Sequence, residues 1–121
     1  MTHQISVLVV EDEPLILMDI AHQLEAEGYT VYEAVNADRA IELLITHLDI
    51  RLVFTDIDMP GTMDGLKLAA AVRKRWPPIR IILTSGARTV EITDMPDGSV
   101  FFSKPYDHAR VLGSMREMLS A

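Results

Sequence analysis

Residues 52–65 read LVFTDIDMPGTMDG and combine an apolar run, carboxylates and a turn. The stretch begins as an apolar run, stops abruptly at Asp56 and continues into a Met-Pro-Gly turn. An apolar run of this length that is bounded by turn residues predicts a buried strand over residues 52–56. A carboxylate at the carboxyl end of a buried strand lies where open α/β sheets bind their ligands. Asp56 is therefore the first candidate for a reactive group.

The composition of the chain excludes several classes of function. Its 18 acidic and 11 basic residues give a formal net charge of −7, which disfavours direct binding to nucleic acid or to an anionic membrane. The absence of cysteine excludes disulfides, thiol catalysis and cysteine-ligated zinc. The sequence shows no signal peptide and no transmembrane span. With 121 residues, we expect a single domain over residues 1–121 and a cytoplasmic location.

Four further apolar runs predict strands that accompany the one before Asp56. Helical spacing of apolar residues follows the first, second, third and fifth strands, and the last of these helices is predicted over 106–119. Alternating strands and helices predict an α/β fold with a parallel sheet, right-handed crossovers and helices on both faces. The four additional strands are predicted at 5–10, 29–34, 79–84 and 100–103.

One connection does not follow this alternation. Residues 87–98 read ARTVEITDMPDG, where a helix between the fourth and fifth strands is expected. Its β-branched residues have low helix propensity, and Pro96 interrupts the segment. We therefore expect a short or irregular fourth helix that ends before Asp94.

Polar side chains stand at the ends of four of the five predicted strands. Because the carboxyl ends of parallel strands meet at one edge of a sheet, these side chains are expected to converge there. The set comprises Glu11 and Asp12 after the first strand, Asp56 after the third, Thr84 and Ser85 after the fourth, and Lys104 after the fifth.

This set of groups is suited to phosphoryl transfer onto Asp56. Three neighbouring carboxylates need a cation between them, and oxygen ligands without His or Cys favour Mg²⁺ over zinc. An aspartate can act as a nucleophile toward phosphorus and form an aspartyl phosphate. Lys104 and the Thr84 hydroxyl would then neutralise phosphoryl oxygens, although the adjacent Ser85 could serve in place of Thr84.

The pattern resembles the receiver domain of bacterial two-component response regulators over essentially the whole chain. The resemblance implies a flavodoxin-like, doubly wound, five-stranded parallel sheet in the order 2-1-3-4-5. It also implies a phosphorelay signalling protein and not a conventional enzyme, with weak intrinsic autophosphatase activity. The resemblance rests on Glu11-Asp12, the run from Asp56 to Gly61, Asp64-Gly65, Thr84 and Lys104-Pro105.

The resemblance also implies a role for each site residue. A histidine kinase or histidine phosphotransfer protein would phosphorylate Asp56. Asp12 and Asp56 would ligate Mg²⁺, together with the backbone carbonyl of Asp58 and, through water, Glu11. The side chain of Asp58 is expected to be exposed. Thr84 and Lys104 would contact the phosphoryl group.

Three residues would connect the phosphoryl group to a conformational switch. Thr84 would move toward the phosphate, Phe101 would change rotamer in response, and Pro105 would follow a cis bond that aims Lys104. Because Phe101 replaces the commoner tyrosine, a switch that relies on a tyrosine hydrogen bond is excluded. A downstream protein target would read the change. With an irregular fourth helix, we expect a monomer or a weak phosphorylation-dependent dimer. We also expect a stand-alone protein.

Two other interpretations share part of this pattern. A phosphohydrolase with an aspartate nucleophile would place a general acid two residues after the nucleophile, and Asp58 has that spacing. The chain is too short for the cap and substrate pocket that such an enzyme needs. A receiver-like binding module that is never phosphorylated usually lacks the aspartate or the lysine, and both are present here.

Overall fold

Five strands form a parallel sheet in the computed structural model, which describes residues 4–61, 63–86 and 94–120. The strand order is β2-β1-β3-β4-β5, which confirms the predicted doubly wound α/β fold. All five predicted strands are present, although β3 begins two residues earlier than predicted and β4 extends through Ser85. The strands are β1 (Ser6–Val10), β2 (Thr30–Ala34), β3 (Ile50–Asp56), β4 (Arg80–Ser85) and β5 (Val100–Ser103).

Four described helices connect or follow the strands, and local capping groups fix where they begin. Pro14 stands in the first turn of α1, where its missing N–H costs no helical hydrogen bond. The Asn36 side chain accepts a hydrogen bond from the Arg39 N–H at 2.8 Å, so it caps α2. The helices are α1 (Pro14–Ala26), α2 (Ala37–Thr46), α3 (Gly65–Arg75) and α4 (His108–Ser120).

The last helix begins two residues later than predicted. Asp107 precedes it, and the Asp107 carboxylate accepts a hydrogen bond from the Ala109 N–H at 2.9 Å. Its backbone carbonyl also accepts from the N–H groups of Arg110 and Val111. Asp107 is therefore the residue that caps α4, and Tyr106 lies before the helix.

Two apolar clusters cover the two faces of the sheet, because successive side chains of a strand point to opposite faces. Leu8, Val53 and Ile81 pack with residues of α2 and α3 on one face. Val7, Leu52 and Ile82 pack with residues of α1 and α4 on the other. This arrangement buries the central strands on both sides, as their continuous apolar sequences predict.

The register of the strands brings the predicted site residues to one edge. Asp56 lies opposite Thr84 on the neighbouring strand, and Ser85 lies opposite Ser103. Backbone hydrogen bonds continue past these positions, because the Lys104 N–H donates to the Ser85 carbonyl at 2.9 Å. Lys104 is therefore carried to the same edge as Asp56.

Two other expectations concern the chain outside this framework. The predicted irregular helix between β4 and β5 falls mainly on residues 87–93, which lie outside the described residues. Among the helices that are described, none has the length and apolar character needed to cross a membrane.

Candidate functional site

Lys104 connects two buried carboxylates at the carboxyl edge of the sheet. Its Nζ atom lies 2.8 Å from Oε2 of Glu11 and 3.1 Å from Oδ2 of Asp56. The side chains of Glu11 and Asp56 are 3% and 4% exposed, and that of Lys104 is 18% exposed. Removal of such charges from water is costly unless they are paired. The two ion pairs therefore offset part of the cost of burying these charged groups.

The carboxylates of Glu11 and Asp56 carry two potential negative charges, and both pair with the single positive charge of Lys104. Burial raises the pKa of Asp56 above its ordinary value, and Lys104 opposes that rise. Burial likewise raises the pKa of Glu11, against the hydrogen bond from Lys104. For Lys104, burial favours the neutral form, but the hydrogen bonds to both carboxylates outweigh it and its pKa is raised. Two buried carboxylates thus share one ammonium group, and a further cation would be stabilised beside them.

The acidic residues of this edge form a cluster with the dimensions of a metal site. Glu11, Asp12 and Asp56 each offer a carboxylate oxygen, and these oxygens lie within 4.8 Å of one another. The set holds oxygen donors only, which fits a hard cation such as Mg²⁺ and does not fit zinc. The sequence analysis predicted that these three carboxylates would be close together, and the structure brings them together.

Backbone N–H groups fix the orientation of the two buried carboxylates. The Asp58 N–H donates to Oδ1 of Asp56 at 3.2 Å, and the Glu13 N–H donates to Oε1 of Glu11 at 3.2 Å. The remaining oxygen of each carboxylate therefore faces Lys104. The peptide of Asp58, whose carbonyl is a predicted metal ligand, is held next to the cluster by this contact.

Gly65 allows the first turn of α3 to lie directly against the backbone of Asp56. A Cβ atom at this position would lie 2.1 Å from the carbonyl oxygen of Asp56 and 2.7 Å from the Cα of Ile57. Because both neighbours are backbone atoms, neither can move aside without shifting the strand. The sequence marked Gly65 as part of a motif but gave no reason for the glycine.

The Thr84 hydroxyl is a buried donor that has no partner in the described part of the chain. Thr84 is fully buried and lies opposite Asp56 in the sheet. Its Oγ1 atom makes no hydrogen bond there, which is uncommon for a buried hydroxyl group. This group is able to donate to an oxygen that arrives next to Asp56.

The side chains of Ser85 and Asp58 pair with each other. Ser85 is buried, and its Oγ atom donates to Oδ2 of Asp58 at 2.5 Å. The prediction that Asp58 is exposed is therefore wrong, because this hydrogen bond holds its side chain in a partly buried position. The alternative hydroxyl that the sequence left open, Ser85, is already engaged in this bond.

The segment that follows Lys104 closes the site on the side of α1 and α4. The bond between Lys104 and Pro105 is cis, as expected. Tyr106 packs edge-on against Phe54 at 5.5 Å between ring centroids. Burial and the negative charge of Glu11 raise the pKa of the Tyr106 hydroxyl to about 12. The sequence alone does not reveal this packing of Tyr106, since it depends on the turn before α4.

Phe101 does not contact the ionic cluster. It is partly buried and packs against the apolar cluster that lies under α2 and α3. Its backbone lies opposite Leu83, one position before Thr84.

The chain is similar to the same class of known proteins in its sequence and in its structure. Residues 7–116 match the response regulator receiver domain. The sensor kinase CckA of Brucella abortus is 34% identical over 94% of this chain, and the nitrogen assimilation regulatory protein NtrX of Azorhizobium caulinodans is 32% identical over 93%. The chain spans 12% and 25% of the length of these two relatives.

Two solved receiver structures share both the architecture and the approximate length of this chain. A response regulator receiver protein from Sinorhizobium medicae superposes with a TM-score of 0.92 at 27% identity, and the match covers 98% of this chain and 97% of that one. A receiver domain protein from Methanospirillum hungatei gives a TM-score of 0.86 at 26% identity, over 98% and 95%. With its matched sequence, its strand order and its acidic edge, the chain belongs to the family of response regulator receiver domains.

Proposed function

We propose that Asp56 accepts a phosphoryl group from the phosphohistidine of a histidine kinase or a histidine phosphotransfer protein. The single observation that supports this most strongly is the contact of Asp56 with Lys104 beside a Thr84 hydroxyl that has no partner within the described residues. Together these groups supply a nucleophile, a positive charge and a donor at one edge of the sheet. The proposal includes a cytoplasmic location and a single domain over residues 1–121.

The transfer step uses groups that are already in position. A carboxylate oxygen of Asp56 attacks the phosphorus atom, the bond between phosphorus and the donor's imidazole nitrogen breaks, and the imidazole leaves with the bonding electron pair. Lys104 lies 3.1 Å from Asp56 and can neutralise a phosphoryl oxygen as charge shifts onto it. The Thr84 hydroxyl can donate to a second phosphoryl oxygen.

The same carboxylates would hold Mg²⁺. Its ligands would be the side chains of Asp12 and Asp56 and the backbone carbonyl of Asp58, with Glu11 contributing through water. The ion would offset negative charge on the phosphoryl oxygens. The close approach of three carboxylate oxygens supports this assignment, since their mutual repulsion favours a bound cation.

The phosphorylated state would be read through Thr84 and Phe101. In the structure the Thr84 hydroxyl has no hydrogen bond to give up within the described residues, so a movement toward a phosphoryl oxygen only gains one. We propose that this movement displaces β4 relative to β5, that Phe101 changes rotamer, and that a downstream protein binds the altered surface. Hydrolysis of the acyl phosphate resets the domain.

Acetyl phosphate and Mg²⁺, followed by intact mass measurement, test the proposal. We expect a gain of one phosphoryl group in the wild type and none in Asp56→Asn. The matched control is Asp38→Asn, which changes an exposed aspartate in α2. Acetyl phosphate should add one phosphoryl group to Asp38→Asn, as it does to the wild type.

Two results would count against phosphoacceptor function at this residue. One is the absence of labelling in the wild type under conditions that label another receiver domain. The other is labelling that persists in Asp56→Asn. Turnover of a small phosphate ester that is lost in Asp56→Ala would instead favour the phosphohydrolase interpretation.

A further inference from the structure

A second concave site lies at the end of the sheet opposite to Asp56. The cavity has a volume of about 720 Å³ and is formed where β3 and β4 begin and α2, α3 and α4 end. Part of its lining is apolar and consists of the buried side chains of Leu44, Ile50, Ile79 and Leu119. Trp76, with the two prolines that follow it, forms one wall. The volume lies within the range that small-molecule sites of proteins occupy, about 300–1,000 Å³.

The cavity is lined by three arginines, Arg51, Arg75 and Arg80. Among the residues that the structure describes, no carboxylate lines it. Arg73 and Lys74 stand beside them in the last turn of α3. Five of the 11 basic residues of an acidic chain are thus gathered at one end of the molecule.

These basic groups have no acidic partner among the residues that the structure describes. The ion pairs found there involve other cations, whereas Arg51 donates to the Leu119 carbonyl at 3.3 Å. The guanidinium of Arg75 lies over the ring of Trp76, 4.5 Å from its centroid. The helix dipole favours basic residues in the last turn of α3, but it does not explain Arg51 and Arg80, which lie on strands.

We propose that this cavity binds an anionic ligand with a planar aromatic ring, of the size of a nucleoside phosphate. Guanidinium groups form paired, charge-assisted hydrogen bonds with phosphate oxygens. The indole of Trp76 and the guanidinium plane of Arg75 offer surfaces on which an aromatic ring stacks. The concave shape and the volume of the site favour a small ligand over a protein surface. This site is separate from Asp56, and its occupation does not depend on phosphorylation there.

Trp76 is the single tryptophan of the chain, so its fluorescence reports directly on the cavity. The titration uses GDP and ADP as probes, in EDTA so that no divalent cation links them to the acidic cluster. Pyrophosphate supplies the anion alone, and adenosine supplies the ring alone. We expect saturable fluorescence changes with both nucleotides, and dissociation constants at least about tenfold higher for either partial probe. Equilibrium dialysis with labelled GDP excludes optical artefacts.

The variant that tests the cationic rim is the double substitution Arg51→Gln and Arg80→Gln. We expect it to raise the dissociation constant for GDP at least about tenfold, because it removes two charge-assisted contacts. Arg110→Gln is the matched control, since Arg110 is exposed on α4 and does not line the cavity. Asp56→Asn should also bind GDP as the wild type does, which separates this site from the proposed phosphorylation site.

Three outcomes would overturn the proposal. The first is the absence of saturable binding of GDP and ADP up to millimolar concentration. The second is equal affinity of the wild type and the double variant. The third is a polyglutamate peptide that binds through the same two arginines more tightly than GDP, which would identify an acidic protein segment as the occupant.

Discussion

Thr84 and Ser85 are adjacent hydroxyl residues at the end of β4, and the fold uses them differently. The Thr84 hydroxyl is buried and has no partner in the described ranges, whereas the Ser85 hydroxyl donates to Asp58. Adjacent residues of a strand point to opposite faces, so only one of the two can be aimed in a given direction. The sequence could place both hydroxyls near Asp56 but could not show which of them is engaged.

This difference predicts which hydroxyl contacts a phosphoryl group. Thr84→Val keeps the shape of the side chain and removes its donor, so we expect it to raise the dissociation constant for beryllofluoride about tenfold in the presence of Mg²⁺. Ser85→Ala should change that constant by less than about threefold, because its hydroxyl is directed to Asp58. A larger effect of Ser85→Ala would contradict the assignment. Thermal unfolding of both variants checks that the fold is retained.

The strands and helices were largely predictable, because each is encoded locally. Apolar β-branched runs predict the strands, and Asn36 marks the start of α2. The start of α4 was predicted two residues too early, because Tyr106 carries an apolar ring that fits the helical pattern, yet it precedes the helix and packs on Phe54. Asp107 was the available signal, since an aspartate before an apolar-periodic segment is a frequent cap.

A contact between β1 and the segment before β3 makes stability depend on pH. The Ser6 hydroxyl donates to the Asp49 carboxylate and is the main cause of its lowered pKa. Because the pKa of Asp49 is lower in the folded state, this contribution is present above the unfolded pKa of about 3.9 and is lost as pH falls through the folded value.

The substitution Ser6→Ala measures this contribution. At neutral pH we expect it to lower the free energy of unfolding by about 1 kcal/mol or less, since Asp49 is exposed and its charge is screened. The difference from the wild type should shrink as pH falls below about 4. Ser103→Ala, on the exposed end of β5, is the matched control and should show no such trend. A difference that does not vary with pH would contradict the role of the carboxylate.

For the whole molecule, the topology of the sheet determines where the candidate site lies. A parallel sheet brings every carboxyl end to one edge, so residues from 11 to 104 could be grouped from the sequence alone. The contacts within the group were not predictable in the same way. They depend on side-chain packing between elements that are distant in sequence. Examples are the hydrogen bond between Ser85 and Asp58, the Thr84 hydroxyl without a partner in the described ranges, and the arginine-lined cavity.

The distribution of apolar surface bears on self-association. Five large hydrophobic side chains are exposed among the described residues, and none of them lies on β5 or α4. Stable dimers bury apolar cores at their interfaces. The face formed by β5 and α4 therefore offers little exposed apolar surface for a permanent dimer. The exposed residues are Leu15, Met18, Val35, Ile45 and Leu48.

We therefore expect the chain to be a monomer at micromolar concentration. Size-exclusion chromatography with light scattering should give the monomer mass in the absence of a phosphoryl analogue. Beryllofluoride with Mg²⁺ should produce at most a concentration-dependent shift toward the dimer. A dimer that persists on dilution without the analogue would contradict this expectation. Asp56→Asn serves as the control that cannot acquire the analogue.

The contact between Gly65 and Asp56 gives the proposed signal a direction. The first turn of α3 leaves no room for a single methyl group against the carbonyl of Asp56, so this side of the strand acts as a rigid wall. Thr84 lies on the neighbouring strand β4, with β5 beyond it, and its hydroxyl has no partner in the described ranges. A group added at Asp56 therefore meets fixed backbone at Gly65 and an available donor at Thr84. The difference between these two neighbours originates in one side chain that is absent.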